Sequence, residues 1–295
     1  MKGQSRLHAY RTVDVPLKEV SGVCLRRGPA GGSQLVAIGD RVSRVAWFEQ
    51  PNDDRAEIHW ETADLSRLEG SRLPEHDPQI EAVCADGAGR VLILQESPTR
   101  TELIEPSSRR VVASISLEIP GDDELALSWN DPTSSHGEGA VFLRGGHLLI
   151  AKEKDPSALV EFGPEGEAPT GLARWSALAP GSAWPVAPGD HRYVALATWW
   201  PTKELAGACE DFSDLEIGPD GHLYLLSDKS DSIARLSDLL PPGGRVGPLE
   251  TWHLGDLDGK PEGLAFTPNG RALVALDTRK ARHNLILFEP PIAAQ

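Results

Sequence analysis

The chain has 295 residues, 40% hydrophobic and 25% charged, which allows a sizeable core in one all-β domain or in two smaller ones. Its formal net charge of −15 argues against nucleic acid and anionic membrane surfaces as partners. The opening "MKGQSRLHAYRTVDVPLKEV" has no apolar run of signal-peptide length, and no segment nears the roughly 18–20 apolar residues of a membrane span. With three cysteines lacking metal-type spacing, a reducing, cytoplasmic setting is expected.

In chain order, the first alternating segment is "LHAYRTVDV", of strand type. Five mutually similar segments follow: "SGVCLRRGPAGGSQLVAIGD" from Ser21, "EAVCADGAGRVLILQE" from Glu81, "EGAVFLRGGHLLIAKE" from Glu138, "SDLEIGPDGHLYLLSD" from Ser213 and "EGLAFTPNGRALVALD" from Glu262. In four of them, 15 positions separate the first residue from the last (96−81, 153−138, 228−213, 277−262); the first copy spans 19 (40−21). The midpoints Ala88-Gly89, Gly145-Gly146, Asp220-Gly221 and Asn269-Gly270 predict hairpins with two-residue type I′ turns.

A third strand-like run follows each hairpin: "RVAWFEQ", "RTELIEP", "SALVEFGP", "SIARLSDL" and "NLILFEPP". Four copies add a fourth: "AEIHWETADL", "RRVVASISL", "RYVALATWW" and "LETWHLG". This is the blade pattern of a β-propeller. The expectation is an all-β fold, a single propeller over residues 1–295, with about five four-stranded blades. The N-terminal "LHAYRTVDV" would complete the last blade and close the ring, leaving no open sheet edge. A Pro/Gly/Ala-rich stretch at about 163–190 reads as an excursion from blade three, with a degenerate sixth blade as the alternative.

Counting outward from two-residue turns sets Glu81 opposite Glu96, Glu138 opposite Glu153, Glu262 opposite Asp277, Ser213 opposite Asp228 and Ser21 opposite Asp40. Like charges directly opposite each other repel. The two serine copies carry an acid two residues upstream, Glu19 and Asp211. First strands line the channel of a propeller. Glu19, Glu81, Glu138, Asp211 and Glu262 should therefore meet at one channel mouth, with Asp40, Glu96, Glu153, Asp228 and Asp277 behind them.

Such crowding has three resolutions. A hard cation can bind, and Ca²⁺, with its roughly 6–8 oxygen ligands in flexible geometry, is the first candidate. Some carboxyls can hold protons at neutral pH. Or neighbouring cations, Arg41, Lys152, Lys154, Lys229, Arg279 and Lys280, can neutralise the ring. If a divalent cation binds, the five inner acids are its candidate ligands and Asp40, Glu96 and Asp277 support them. Glu153 or Asp228 would then be the base that activates a water, and Lys152, Lys154 and Lys229 could contact a phosphate, carboxylate or ester oxygen. A mouth built only to bind a ligand would look the same.

His136, two residues before Glu138, reads as a ligand contact or, more simply, a surface loop residue. No nucleophile-elbow GxSxG accompanies "TSSHGEG", which argues against a serine triad. Cys24 and Cys84 sit at matching positions of adjacent blades and read as small core residues. Trp47, Trp60, Trp199 and Trp252 fall in outer strands that pack between blades; Trp129, Trp175 and Trp184 fall in long loops, where they could pack or could wall a substrate pocket.

"EVSGVCL", "GEGAVF", "LLIAKEKDP", "DFSDLEIGPDGHLYLLSDKSDSIARL" and "KPEGLAF" resemble the bacterial propellers called SdiA-regulated proteins and the neighbouring phytase-like esterase propellers. The resemblance runs from about Glu19 to Phe288 and implies a β-propeller with a cation site in its channel, at Glu19, Glu81, Glu138, Asp211 and Glu262. Asp214 departs from the pattern, standing where the first copy has Gly22. The leading expectation is a divalent-cation-dependent hydrolase of a small ester, lactone or phosphoester. Its rival is a non-enzymatic propeller that binds a small molecule or a partner protein at the same face, with any cation structural.

Overall fold

The structure, a computed structural model, describes residues 5–28, 31–49, 58–173, 177–179, 181–237, 239–240 and 243–293. Five antiparallel meanders stand around one axis. Blade one comprises Val20–Arg27, Ser33–Gly39, Val42–Glu49 and Glu61–Asp64. Blade two comprises Ile80–Ala85, Val91–Gln95, Arg100–Glu105 and Arg110–Glu118. Gly137–Phe142, Leu148–Lys152, Ala158–Pro164 and Gly189–Pro201 form blade three. Blade four contains Asp214–Ile217, Leu223–Ser227, Ser232–Leu236 and Pro248–His253. Blade five takes Lys260–Phe266, Ala272–Asp277 and Leu285–Glu289 from the C-terminal part and His8–Val13 from the N-terminal part, antiparallel to Leu285–Glu289. The ring is thus closed as the pattern predicts. Among the described residues no sixth blade appears, and no helix is long and apolar enough to cross a membrane.

The turns differ from expectation. In blade two the Asp86 N–H donates to Arg90 O and the Gly89 N–H to Asp86 O; Gly218 with His222 and Thr267 with Arg271 repeat this closure. In these three turns only the glycine has positive φ: 85° at Gly89, 76° at Gly221 and 82° at Gly270. These are three-residue loops, a type I turn closed by a left-handed glycine, and not type I′ pairs. The extra loop residue moves the register by one: Ala85 pairs with Val91, Phe142 with Leu148, Ile217 with Leu223 and Phe266 with Ala272.

The blades are joined beyond their common axis. The outer strand of blade two runs parallel to that of blade three, with Ala113 through Glu118 opposite Gly189 through Val194. Gly244–Val246 adds in parallel to the end of the latter strand, and Ser5–Arg6 adds in parallel to the outer strand of blade four. Outer strands that would otherwise offer unpaired backbone are therefore paired with neighbours.

The chain between Pro164 and Gly189 leaves blade three and is fastened back by two buried polar clusters. Glu161 accepts the Thr170 N–H at 2.7 Å and faces His147 Nδ1 at 2.6 Å, while His147 Nε2 lies 2.9 Å from Glu167. Asp86 accepts the Ala88 N–H at 3.0 Å, the Arg90 N–H at 2.9 Å, Arg90 Nε at 2.8 Å and the Trp184 N–H at 3.0 Å. Trp184 is wholly buried and its Nε1 donates to His147 O. Trp129 is also buried, lying on the helix Glu124–Asn130 that Asp123 caps, with Nε1 on Leu117 O. Both rings are core, not pocket walls; Trp175 lies outside the described residues. Asp86→Ala leaves three backbone N–H groups and the half-buried Arg90 guanidinium without their acceptor. It should cost about 3–5 kcal/mol in urea unfolding, and Asp86→Asn less; a loss below about 1 kcal/mol for Asp86→Ala would remove this cluster from the account.

Candidate site at the channel mouth

Four of the five first strands are kinked one or two residues from their start. The ladder slips at Ser21 between Val20 and Gly22, at Glu81 between Ile80 and Ala82, at Glu138 between Gly137 and Gly139, and at Glu262 between Pro261 and Gly263. Each is a β-bulge, which re-aims the side chain of the extra residue. The acids are therefore not opposed across their own hairpins, as two-residue turns would have them. Three glutamates, from blades two, three and five, turn into the mouth, and Ser21 and Ser213 hold the equivalent positions in blades one and four. The Ser21 hydroxyl donates to Ile80 O at 2.5 Å, and the Ser213 hydroxyl accepts the Asp228 N–H at 2.9 Å.

The inner acids meet across blades. Glu81 meets Asp40 of blade one carboxyl to carboxyl. Burial first, then the charges of Asp40 and Glu96, push the Glu81 carboxyl well above the usual carboxylate range. Burial, then Glu81 and Glu153, do the same to Glu138. Glu262 is pushed up to about 8, by burial and then by Asp228. Asp40, Asp228 and Asp277 of the outer circle are also raised, burial leading in each.

Cations attend mainly the outer circle. Lys154 pairs with Glu153, and Arg41 Nε lies 3.4 Å from Asp40. Lys260, which the sequence reading passed over, bridges Asp228 at 3.5 Å and Glu262 at 4.0 Å. Its signal was visible in "KPEG", two residues ahead of the bulged acid. Lys152 is buried, with its amine donating to Lys154 O at 2.5 Å, so it serves the loop and not the mouth. Lys229 is exposed and touches the site through its N–H, which donates to Asp211.

Glu19 and Asp211 occupy a different place from the three glutamates. Glu19 has a positive φ of 50°, receives the Asp40 N–H on its carbonyl and places its charge near Asp277 and Arg41. Asp211 is fully buried; Oδ1 accepts from Ser227 Oγ at 2.6 Å, and Oδ2 has no partner. His136 is buried and not a surface loop residue: its N–H donates to Glu96, and its ring packs edge-on against Trp129. Asp214, buried below the mouth, accepts the Leu264 N–H of blade five at 2.6 Å. Glu216 lies deeper, where burial pushes it up to about 8, beside a cavity of about 340 Å³ that Cys24 and Cys84 also line. Both cysteines are buried and free, as core residues.

Chemically, the mouth can hold protons or take a cation. A carboxylate donor set suits a hard cation, and the orphaned Asp211 Oδ2 is an oxygen still in want of one. Among the described residues, however, no three His, Cys, Asp or Glu side chains already converge as one metal's ligands.

No family model matches the chain, and no curated protein matches it in sequence. Its fold is matched by solved structures. A glutaminyl cyclase of Myxococcus xanthus is similar at a TM-score of 0.54 and 12% identity, over 97% of this chain and 98% of that one. A PQQ-bound aldose sugar dehydrogenase of Streptomyces coelicolor is similar at 0.52 and 11%, over 96% and 97%. At such identities the likeness shows the propeller fold alone, and the SdiA-regulated and phytase-like resemblance finds no family match behind it.

In EDTA-treated protein the glutamates give a definite pH dependence. A carboxyl that titrates at 4.5 when unfolded and at about 8 when folded binds more protons in the native state between those values. Its stabilising contribution is complete below 4.5 and fades as pH rises through 8. His147, raised by its hydrogen bond to Glu161, fades in the same direction. Unfolding free energy should therefore fall from pH 5 to pH 8 and fall less in Glu262→Gln; equal slopes would mean that Glu262 titrates normally.

Proposed function

We propose that the channel mouth binds a divalent cation, with Ca²⁺ the first candidate, and that the protein is a hydrolase of a small ester, lactone or phosphoester there. The observation that carries the reading is the trio Glu81, Glu138 and Glu262, raised on bulges into one semi-buried space where Glu81 and Glu262 weigh against the ionisation of Glu138, and Glu262 against that of Glu81. A cation would replace the protons they hold. Glu81, Glu138 and Glu262 would ligate it, with Asp211 and Glu19 closing the rim and Asp40, Glu96 and Asp277 supporting from behind. When bound, the ion would supply Lewis acidity toward a carbonyl or phosphoryl oxygen.

The chain's own residues suggest the remaining roles. Asp228 is the better base of the two candidates: burial raises it, and its side chain keeps 21% exposure to accept a proton from water. Glu153 is tied to Lys154, which fits it to hold that loop. Lys260, with a side chain 62% exposed beside Asp228, is placed to meet an anionic substrate oxygen. Membership of the SdiA-regulated or phytase-like propellers belongs to the same proposal and rests on the quoted segments. The binding-only reading is favoured by one observation, that the carboxylates do not yet converge on a single point.

The deciding experiment is metal analysis of untagged protein with melting curves in EDTA and in added Ca²⁺, Mg²⁺ or Mn²⁺. One ion per chain is expected, and its stabilisation should grow between pH 6 and pH 8 as protons are displaced. Glu138→Gln should abolish the Ca²⁺ response while raising stability in EDTA. Against a panel of nitrophenyl esters, lactones and phosphates, Asp228→Asn should lower turnover by roughly 10²–10⁴. A metal-free protein indifferent to EDTA and to every ion would overturn the cation reading; cation binding without turnover would leave the binding module.

A further inference from the structure

Four of the five seams between blades are filled with buried rings. Trp129, Phe142, Phe162, Trp184 and Tyr193 fill the seam of blades two and three, and Trp199 and Phe212 that of three and four. Tyr224, Trp252, Phe266 and Phe288 fill the next, and Phe48, with Trp60 against it, the seam of five and one. The seam of blades one and two has no fully buried ring. Its core is Val36, Ile38, Leu65, Leu73, Val83, Ile93 and other aliphatic residues, with Trp47 only half-buried at the edge. A space of about 410 Å³ remains there, within the range of small-molecule pockets and far above the voids that close-packed interiors tolerate. It opens on the hairpin-turn side of the disc, away from the acidic mouth.

Two polar atoms in this space lack partners. Arg26 and Gln34 lie directly opposite each other in the hairpin of blade one, so their Cβ atoms stand roughly 4.5–5.5 Å apart on one face. Gln34 is 5% exposed. Its Nε2 donates to Glu49 Oε1 at 2.5 Å, which assigns the amide orientation and leaves Oε1 as an acceptor with no donor. Arg26, whose guanidinium sits over the Trp47 ring at 5.8 Å, keeps Nε–H as a buried donor with no acceptor. Burying a polar group without its hydrogen bond is costly, so two such atoms on residues that line one roomy slot point to something that fills it.

We propose that this slot binds an apolar small molecule carrying an uncharged amide. The amide carbonyl accepts from Arg26 Nε–H, its N–H donates to Gln34 Oε1, and the apolar body lies among Val36, Val91, Ile93 and Ile104 beside Trp47. A carboxylate fits less well, since it brings no donor for Gln34 and Glu49 and Glu61 already line the slot. An ester likewise leaves Gln34 Oε1 unpaired. The site is separate from the channel mouth and independent of any cation there.

The test is calorimetric or ligand-observed NMR titration of the full chain with phenylacetamide, phenylacetate and methyl phenylacetate, in EDTA and in Ca²⁺. Phenylacetamide should saturate at a Kd of about 1 mM or tighter, equally in both buffers, and the acid and ester at least about ten-fold more weakly. Gln34→Leu keeps the volume and removes the acceptor, so the amide should lose about ten-fold and fall level with the ester. Ala63→Trp, on the outermost strand facing the slot, should fill it, abolish binding and leave the melting temperature unchanged or higher. Equal binding of the three compounds, no saturable binding of the amide, or binding that survives Ala63→Trp in a folded protein would each overturn the proposal.

Discussion

Everything at the axis depends on how closely the first strands approach one another. Where the chain leaves the bulge, the next blade's backbone is in contact. A Cβ added at Gly139 would stand 2.5 Å from Leu215 N, and one at Gly263 would stand 2.9 Å from Val23 N. The residue after the bulged position is accordingly Gly22, Ala82, Gly139 or Gly263, and only blade four differs. There Asp214 turns the approach to use, its carboxylate taking a backbone N–H from blade five. The close approach also explains the bulge. Strands pressed together below the mouth splay above it at an extra residue, a glutamate in three blades and Ser21 in blade one.

The mouth is thus a consequence of packing before it is a consequence of chemistry. Bulging lifts three carboxyls off their own ladders and sets them against neighbours from other blades. Burial first, and the charges of neighbouring carboxyls after it, then push all three above the range of a lone surface glutamate. Asp40 and Asp228 of the outer circle are raised by burial too, but Arg41 and Lys260 reach them from the solvent side and pull against that rise.

Much of the fold was legible in the sequence. Period-2 runs, a repeated interval of 15 and the orphan strand at the N-terminal end sufficed for five blades and a closed ring, because each reports a local pattern that the fold repeats. The register was not legible, since Asn-Gly and Asp-Gly serve a three-residue loop with one left-handed glycine as readily as a two-residue turn. Nor were the bulges, which leave no mark in composition. The pairing of the acids within their own hairpins was mistaken: Glu81 leans on Asp40 of another blade, which no count within one hairpin can anticipate. His136 was misread, and packing could not be told from a pocket wall for Trp129 and Trp184, for a related reason: a loop residue's burial depends on what folds beneath it. Lys152 shows the same limit from the other side, a lysine in an acidic neighbourhood whose amine turns inward to a carbonyl.

The parallel pairing of the outer strands of blades two and three makes one continuous sheet of those two blades, nine-stranded with Gly244–Val246. That sheet is mechanically a single plate bent around nearly half the ring, so those blades cannot swing apart like shutters. The compliance of the disc must then gather at seams with thinner backbone stitching. The seam of blades one and two is held by isolated bridges, Val42 to His76 and Glu69 to Arg110, and not by a continuous ladder. Among the described residues it is also the seam without a fully buried ring, so light backbone stitching and the unfilled slot share one place.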